Sequence, residues 1–258
     1  NDEESFLGNQ NQYAAYLLAA ESAWTGGYDR QSDVPFDYVE EFARIWNRGL
    51  LPRGKAAGFA VDLATVANLD LSSSATAAWR GYANPATLAA LPVGNTRMGR
   101  FALRVAGDAG RPRAVLLAGR FNPPASPNWP PAAIFPIGRR VSAVTMALGA
   151  SATAAHEPPV ARAIFRYADG TTASVAFKLG QNLFAVTDAE ASVMAPCWWQ
   201  KPASNGDPPF AVHGFVWRNP HPDRELKAIE LRSTNQGPAL IVFGISAIEP
   251  QRAGRAAG

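Results

Sequence analysis

The sequence predicts a mainly β protein: a two-sheet antiparallel β-sandwich of the jelly-roll type, preceded by an N-terminal segment of two helices. Beyond residue 58, short runs rich in β-branched and aromatic residues alternate with Pro, Gly, Asn and Asp, which is typical of a sandwich. Asp169-Gly170 separates two such runs and predicts a tight hairpin, because a type I′ turn needs positive φ. Earlier in the chain, apolar residues recur at helical spacing instead.

Two amphipathic helices are expected before residue 52. In the first, from Gln10 to Trp24, apolar residues form one stripe and Gly26-Gly27 ends the segment. In the second, from Phe36 to Asn47, acidic residues occupy the first turns, where the helix dipole favours negative charge. Neither helix can bury its stripe alone, so both are expected to pack on other protein. The expected divisions are a helical segment (1–52), a β-sandwich domain (53–250) and a flexible tail (251–258).

Ten strands are expected in the β domain, each bounded by turn-forming residues. The Pro-rich stretch 122–131 is expected to form an exposed, extended loop, because proline cannot donate to a strand ladder. The expected strands are Phe59–Leu63, Phe101–Val105, Ala114–Gly119, Ser142–Leu148, Val160–Tyr167, Thr171–Leu179, Val193–Gln200, Phe210–Arg218, Leu226–Ser233 and Ala239–Ser246.

The predicted hairpin carries apolar side chains on both faces. Phe165 and Tyr167 are expected on one face, with Ile164, Val175 and Phe177 on the other. A strand pair that is apolar on both faces is typical of a central position in a sheet. We therefore expect this hairpin to be covered on both sides.

Composition excludes some classes of function. The formal net charge is only +3, and no Lys/Arg cluster is longer than Arg139-Arg140, which disfavours nucleic-acid binding. No apolar run reaches the 18 residues that would indicate a membrane span. Cys197 is the only cysteine, so neither an internal disulfide nor a cysteine-based zinc cluster can form.

Tryptophans are the first candidates for ligand contact, because flat aromatic rings stack on the C–H faces of sugars while the indole N–H offers one donor. Core packing is the alternative for each of them. Adjacent strand residues point to opposite faces, so one of Trp198 and Trp199 is expected to point inward and the other outward. Trp129 lies between prolines and is expected to be the most exposed. The candidates are Trp79, Trp129, Trp198, Trp199 and Trp217.

A second candidate site consists of His213, His221 and Asp223, which could serve a metal or acid–base role. The simpler interpretation is a loop held by side-chain hydrogen bonds. Neither a Gly-x-Ser-x-Gly elbow nor a complete phosphate-binding Gly-x-x-x-x-Gly-Lys-[Ser/Thr] loop occurs. A structural calcium ion is also compatible with the sequence, although no spacing selects a ligand set. Its candidate ligands are Asp62, Asp70, Asn84, Asp207 and Glu249.

Five motifs, in order, resemble the C-terminal galactose-binding-like jelly-roll accessory domains of bacterial glycoside hydrolases. The resemblance covers roughly residues 55 to 250 and implies a β-sandwich that packs on a catalytic domain. The motifs are Phe59-Ala-Val-Asp-Leu63, Leu91-Pro-Val-Gly94, Phe135-Pro-Ile-Gly-Arg-Arg140, Tyr167-Ala-Asp-Gly-Thr171 and Trp217-Arg-Asn-Pro-His-Pro-Asp223.

The N-terminal segment is similar to the last helices of a (β/α)₈ glycosidase barrel. The likeness lies in Ala20-Glu-Ser-Ala-Trp24 and the Gly-Gly-Tyr-Asp29 that follows. In such barrels residues after the last strand can line the sugar pocket, so the resemblance implies substrate contacts for Trp24, Tyr28 and Asp29.

Together these observations predict a non-catalytic, carbohydrate-associated module of a polysaccharide- or glycoside-degrading hydrolase. Its expected partners are carbohydrate and the parent's catalytic domain, with no cofactor beyond a structural calcium ion. The resemblance implies a secreted, periplasmic or cell-surface location. Two alternatives stay open: a stand-alone hydrolase that uses His213, His221 and Asp223, and a cell-surface domain that binds protein.

Overall fold

The computed structural model describes residues 58–69, 91–92, 94–98, 101–105, 114–120, 129–151, 158–189, 195, 197–202 and 209–250. The two expected helices and the expected tail lie outside these residues. Twelve strands form within them, and no helix in this part of the chain is long and apolar enough to cross a bilayer. The strands are β1 (Gly58–Val61), β2 (Gly94–Met98), β3 (Phe101–Val105), β4 (Val115–Leu116), β5 (Ala132–Arg140), β6 (Ala143–Ala150), β7 (Ala161–Tyr167), β8 (Thr172–Phe177), β9 (Cys197–Lys201), β10 (Phe210–Arg218), β11 (Glu225–Ser233) and β12 (Leu240–Ile248).

The strands form two main antiparallel sheets, as the sequence predicts. A six-stranded sheet has the order β1-β12-β6-β10-β9, and β4 also pairs with β12. A four-stranded sheet has the order β5-β11-β7-β8, and β2 and β3 form a separate pair. The chain crosses between the two main sheets at β4–β5, β5–β6, β6–β7, β8–β9, β10–β11 and β11–β12. Apart from the pairs β7–β8 and β9–β10, consecutive strands from β4 onward contribute to opposite sheets, which places one core between them.

The inner faces of the two sheets share a single apolar core. In β7, residues 161, 163, 165 and 167 are buried while 162 and 166 are exposed, which is the alternation of a strand with one covered face. Phe135 of β5 and Ile229 of β11 join the same core from the four-stranded sheet. Met146 of β6 and Val242 of β12 join it from the six-stranded sheet.

The six-stranded sheet is buried on its outer face as well. Every residue of β6 and β12 is buried, so these strands are covered on both sides. A second group of buried apolar residues, called the outer cluster here, occupies the outer face. It consists of Leu69, Leu91, Ala114, Leu116, Ala147, Val186, Phe210, Val212, Ala239, Ile241 and Phe243.

Strand β5 is absent from the sequence expectations because it contains both Pro136 and Gly138. Proline lacks the N–H that a central strand must donate, so its position in a strand is restricted to edges and bulges. Strand β5 is an edge strand, and the Pro136 side chain is exposed. Gly138 has φ of 61°, in the stretch where the pairing with β11 shifts register. The edge position and the bulge together admit both residues.

The hairpin β7–β8 forms as predicted, but two details of the prediction are wrong. Gly170 has a positive φ of 87° and Asp169 does not, so the turn is not type I′. The expected central position is also wrong. Val175 lies directly opposite Ala163, and Phe177 lies opposite Ala161. Both therefore face the inner core together with Phe165, because opposite residues of paired strands share a face. Strand β8 forms the edge of its sheet.

The two sheets are joined by an aromatic stack between Trp217 of β10 and Phe165 of β7. The ring centroids are 3.5 Å apart and the planes differ by 6°. Trp217 is 7% exposed and Phe165 is fully buried. Beside them, the rings of Phe177 and Phe215 meet edge to face at 5.0 Å. Large rings from both sheets thus fill the centre of the sandwich.

We expect Trp217→Ala to lower the free energy of unfolding by about 3–5 kcal/mol, the usual cost of deleting a large buried ring. Urea denaturation measures the change. Trp199→Ala is the matched control, since Trp199 is only half-buried, and it should cost less than half as much. Equal losses in the two variants would contradict a core position for Trp217.

Candidate ligand-binding surface

Three of the predicted tryptophans lie on the outer face of the six-stranded sheet. Trp129, Trp198 and Trp199 are all half-buried and pack against the outer cluster. A half-buried ring is held by apolar contacts while part of its surface remains open to solvent. We call these three residues the tryptophan face.

A β-bulge puts Trp198 and Trp199 on the same side of the sheet. Trp199 pairs with Val212, but the next pair is Cys197 with His213, so Trp198 is the extra residue. Because of this shift both indoles pack on the outer cluster. The expectation that one would point inward is therefore wrong.

Trp198 lies directly over the backbone of β10 at Gly214. A Cβ atom at this glycine would be 1.5 Å from Cε2 of the indole, so no larger residue fits beneath the ring. Trp199 packs edge to face on Phe210, with centroids 5.9 Å apart. Phe210 in turn packs on Phe243 of β12 at 5.9 Å. The two indoles thus rest on backbone and on buried rings, which restricts their motion.

Trp129 lies on the same face but toward the opposite edge of the sheet. The carbonyl of its neighbour Pro130 accepts a hydrogen bond from the Ala118 amide at 2.9 Å, which places the segment beside β4. Strand β4 pairs with β12, and β9 lies three strands beyond β12. Four strand spacings correspond to roughly 19 Å. The backbone beside β4 that carries Trp129 and strand β9 that carries Trp199 are therefore well separated across the sheet.

The remaining aromatic candidates are distributed differently. Trp217 lies in the inner core, stacked on Phe165. Its ring face is therefore occupied by a protein side chain. Trp24, Tyr28, Asp29 and Trp79 lie outside the described residues.

His213, His221 and Asp223 are not brought together. His213 is 1% exposed within β10, where its ring lies 5.1 Å from that of Phe184. Strand β10 continues for five more residues to Arg218, roughly 17 Å, before the loop that holds the other two begins. His221 and Asp223 are exposed in that loop. The separation does not suit a shared catalytic or metal role.

The loop after β10 is organised by Asn219, a residue that the sequence patterns do not single out. Its Oδ1 accepts hydrogen bonds from the Tyr167 hydroxyl at 2.5 Å and from the His221 amide at 2.9 Å. Its Nδ2 donates to the Val141 carbonyl at 2.7 Å. Asn219 is 3% exposed. These bonds join β7, the β5–β6 turn and the loop, as the simpler interpretation of this segment expected.

Two exposed loops are linked at the same corner. Asp169 accepts hydrogen bonds from the amide and hydroxyl of Thr171, and these bonds lower the pKa of its carboxyl group. Nη1 of Arg224 lies 3.2 Å from the Asp169 carboxylate. Burial raises the pKa of the nearby Tyr167 hydroxyl, although the charge of Arg224 opposes the shift. Hydrogen bonds within the β7–β8 turn and an ion pair between Asp169 and Arg224 thus hold the two loops together.

The calcium candidates within the described part of the chain already have protein partners. Asp62 accepts a hydrogen bond from the Ala64 amide at 2.9 Å. Glu249 forms an ion pair with Arg139 at 3.2 Å. No group of three or more His, Cys, Asp or Glu that could hold a metal ion occurs among the described residues. Asp70, Asn84 and Asp207 lie outside them.

The outer face of the four-stranded sheet carries a charged cluster that linear sequence patterns also miss. Glu230 of β11 has a side chain that is 3% exposed and accepts hydrogen bonds from Arg166 and Arg232. The hydrogen bond from Arg166 is the main reason that the pKa of Glu230 is lowered. Arg162 lies directly opposite Arg232 across β7 and β11. Register between distant strands, not spacing along the chain, brings these four residues together.

The sequence was compared with protein-family models, with curated proteins and with solved structures, and none of the three comparisons finds a match. What the chain does must therefore be inferred from the contacts, burial and charge of its own residues.

We expect Asn219→Ala to lower the free energy of unfolding by about 2–4 kcal/mol, because it removes three hydrogen bonds and leaves buried groups unsatisfied. Tyr167→Phe is the control, since it removes one of these bonds and should cost about 1 kcal/mol. Thermal and urea unfolding measure both variants. A loss in Asn219→Ala no larger than that in Tyr167→Phe would contradict the organising role of Asn219.

Glu230 should make stability depend on pH in acid. Its pKa is lowered in the folded state, so its stabilising effect is complete above the unfolded pKa of about 4.3 and is lost as pH falls through the folded pKa. Glu230→Gln cannot titrate. The difference in unfolding free energy between wild type and this variant should therefore shrink from pH 7 to pH 3. A difference that stays constant over this range would contradict the account.

Proposed function

We propose that this chain is a non-catalytic, carbohydrate-associated β-sandwich module that holds glycan on its tryptophan face. One observation carries the proposal: Trp129, Trp198 and Trp199 are half-buried on a single apolar cluster on the outer face of one sheet. These three rings lie outside the inner core, so packing between the two sheets does not account for them.

Physical chemistry supports a role in glycan binding. An indole offers a flat apolar surface for sugar C–H groups and one N–H donor for a hydroxyl. Gly214 under Trp198 and Phe210 against Trp199 hold the rings in place before any ligand arrives. Binding to a preorganised ring costs less conformational entropy than binding to a mobile one.

The spacing of the rings favours a polymer over a single sugar. Trp199 lies on β9 and the backbone of Trp129 lies beside β4, and these strands are four spacings, or roughly 19 Å, apart across the sheet. One sugar ring cannot contact both positions. A polysaccharide chain lying across the strands can contact both, and contacts at two positions increase its affinity through effective concentration.

The proposal also covers the protein to which this chain would belong, and this part follows from the resemblance of its motifs. In this proposal the chain is the C-terminal, galactose-binding-like part of a secreted, periplasmic or cell-surface glycoside hydrolase, and it packs on the catalytic domain. Catalysis belongs to that domain. The separation of His213 from the loop of His221 and Asp223 supports the absence of a hydrolytic site at these three residues.

The test is retention of the purified chain on a panel of neutral soluble and insoluble polysaccharides, with released sugars measured in the same samples. We expect retention without release. Trp129→Ala and Trp199→Ala should each weaken retention roughly threefold to tenfold, since a stacked ring contributes about 0.5–1.5 kcal/mol. Ile134→Ala is the control, because Ile134 is 53% exposed on the other sheet.

Three outcomes would contradict the proposal. Sugar release that persists through purification would make the chain an enzyme. Absence of retention on every polysaccharide would remove the glycan role. An equal loss in Ile134→Ala and the tryptophan variants would show that the tryptophan face is not the binding surface.

A further inference from the structure

The outer face of the four-stranded sheet carries positive charge. Three cross-strand rows run through Arg232, Glu230 and Ala228 of β11 and continue onto β5, β7 and β8. Among the outward positions of these rows in the described chain, Glu230 is the only acid and none is aromatic. Arg162, Arg166 and Arg232, called the arginine face here, give three positive charges against one negative charge.

Glu230 fixes two of these arginines without consuming all their donors. Arg166 and Arg232 both direct Nε and Nη2 toward the Glu230 carboxylate. None of these contacts uses Nη1 of either guanidinium, and the two side chains are 45% and 59% exposed. A buried carboxylate thus holds two exposed guanidinium groups in a preorganised arrangement.

Arg162 adds a charge that the fold itself does not neutralise. Its side chain is exposed and forms no ion pair with a described residue. It lies directly opposite Arg232 in the pairing of β7 with β11. Like charges in directly opposed positions of paired strands destabilise the sheet. An anion bound between Arg162 and Arg232 would relieve this repulsion.

We propose that the arginine face binds carboxylate groups of an acidic, uronic-acid-containing polysaccharide. The guanidinium fork matches the planar carboxylate in a bidentate geometry. Glu230 shows that this face already holds a carboxylate, with one oxygen toward Arg166 and the other toward Arg232. The choice of a polysaccharide rests on the proposed function, but the surface is a different one from the tryptophan face. Neutral glycan is held by the aromatic rings of one sheet, and acidic glycan is held by the arginines of the other.

The test measures affinity of the full chain for polygalacturonate at pH 7, with dextran sulfate and a neutral polysaccharide retained by the tryptophan face in parallel. Arg162→Ala should weaken polygalacturonate binding roughly tenfold, because it removes a charge-assisted contact. Arg162→Lys, which keeps the charge but loses the fork, should give an intermediate loss. Arg120→Ala is the matched control: this exposed arginine lies outside the arginine face, and its variant carries the same net charge as Arg162→Ala.

Several results would overturn the inference. Equal losses in Arg162→Ala and Arg120→Ala would mean that net charge alone attracts the polymer. The inference would also be overturned if polygalacturonate does not bind, or if Arg162→Ala weakens binding of dextran sulfate but not of polygalacturonate. The neutral polysaccharide separates the two proposals: its retention should depend on Trp129 and not on Arg162. If the wild-type chain does not bind polygalacturonate while its retention of the neutral polysaccharide still depends on Trp129, this inference is overturned and the proposed function is not.

Discussion

The burial of both faces of β6 and β12 is the constraint on which the rest of the structure depends. The inner faces of these strands pack against the four-stranded sheet, where Trp217 and Phe165 stack across the interface. Their outer faces support the outer cluster, on which the three surface tryptophans rest. A single apolar layer thus serves as the core of the sandwich on one side and as the base of the proposed binding surface on the other. In the proposed function, stability and glycan binding would therefore depend on the same layer.

Register shifts determine which side chains reach each surface. In β12 the pairing with β6 shifts between Val242 and Gly244, so Val242 and Ile245 face the inner core while Phe243 faces outward. In β9 a shift makes Trp198 the extra residue and turns it to the same side as Trp199. Each shift reverses the alternation of the residues that follow it. The composition of both proposed surfaces depends on these local insertions as much as on the strands themselves.

Much of the fold could be predicted from the sequence, because a strand with regular alternation of apolar and polar residues, bounded by strong turn residues, can be recognised from its own residues alone. The hairpin at Asp169-Gly170 is one such case. Strand β5 could not be predicted, since Pro136 and Gly138 are acceptable only at an edge and beside a bulge. For the candidate surfaces, residue type alone was enough to suggest the tryptophans as ligand contacts, but the position of Trp198 and Trp199 on one side of the sheet depends on the bulge. Arg162, Arg166, Arg232 and Glu230 meet only through the pairing of β7 with β11, which no spacing along the chain encodes.

The central claim is that glycan contacts the outer face of the six-stranded sheet. The most direct measurement is an NMR titration that follows the indole N–H signals of the seven tryptophans, assigned by substitution, as a polysaccharide fragment long enough to span the sheet is added. The account predicts shifts for Trp129 and Trp199, and none for Trp217, whose ring is enclosed in the inner core. Shifts confined to other tryptophans, or no shifts at all with a retained glycan, would contradict it.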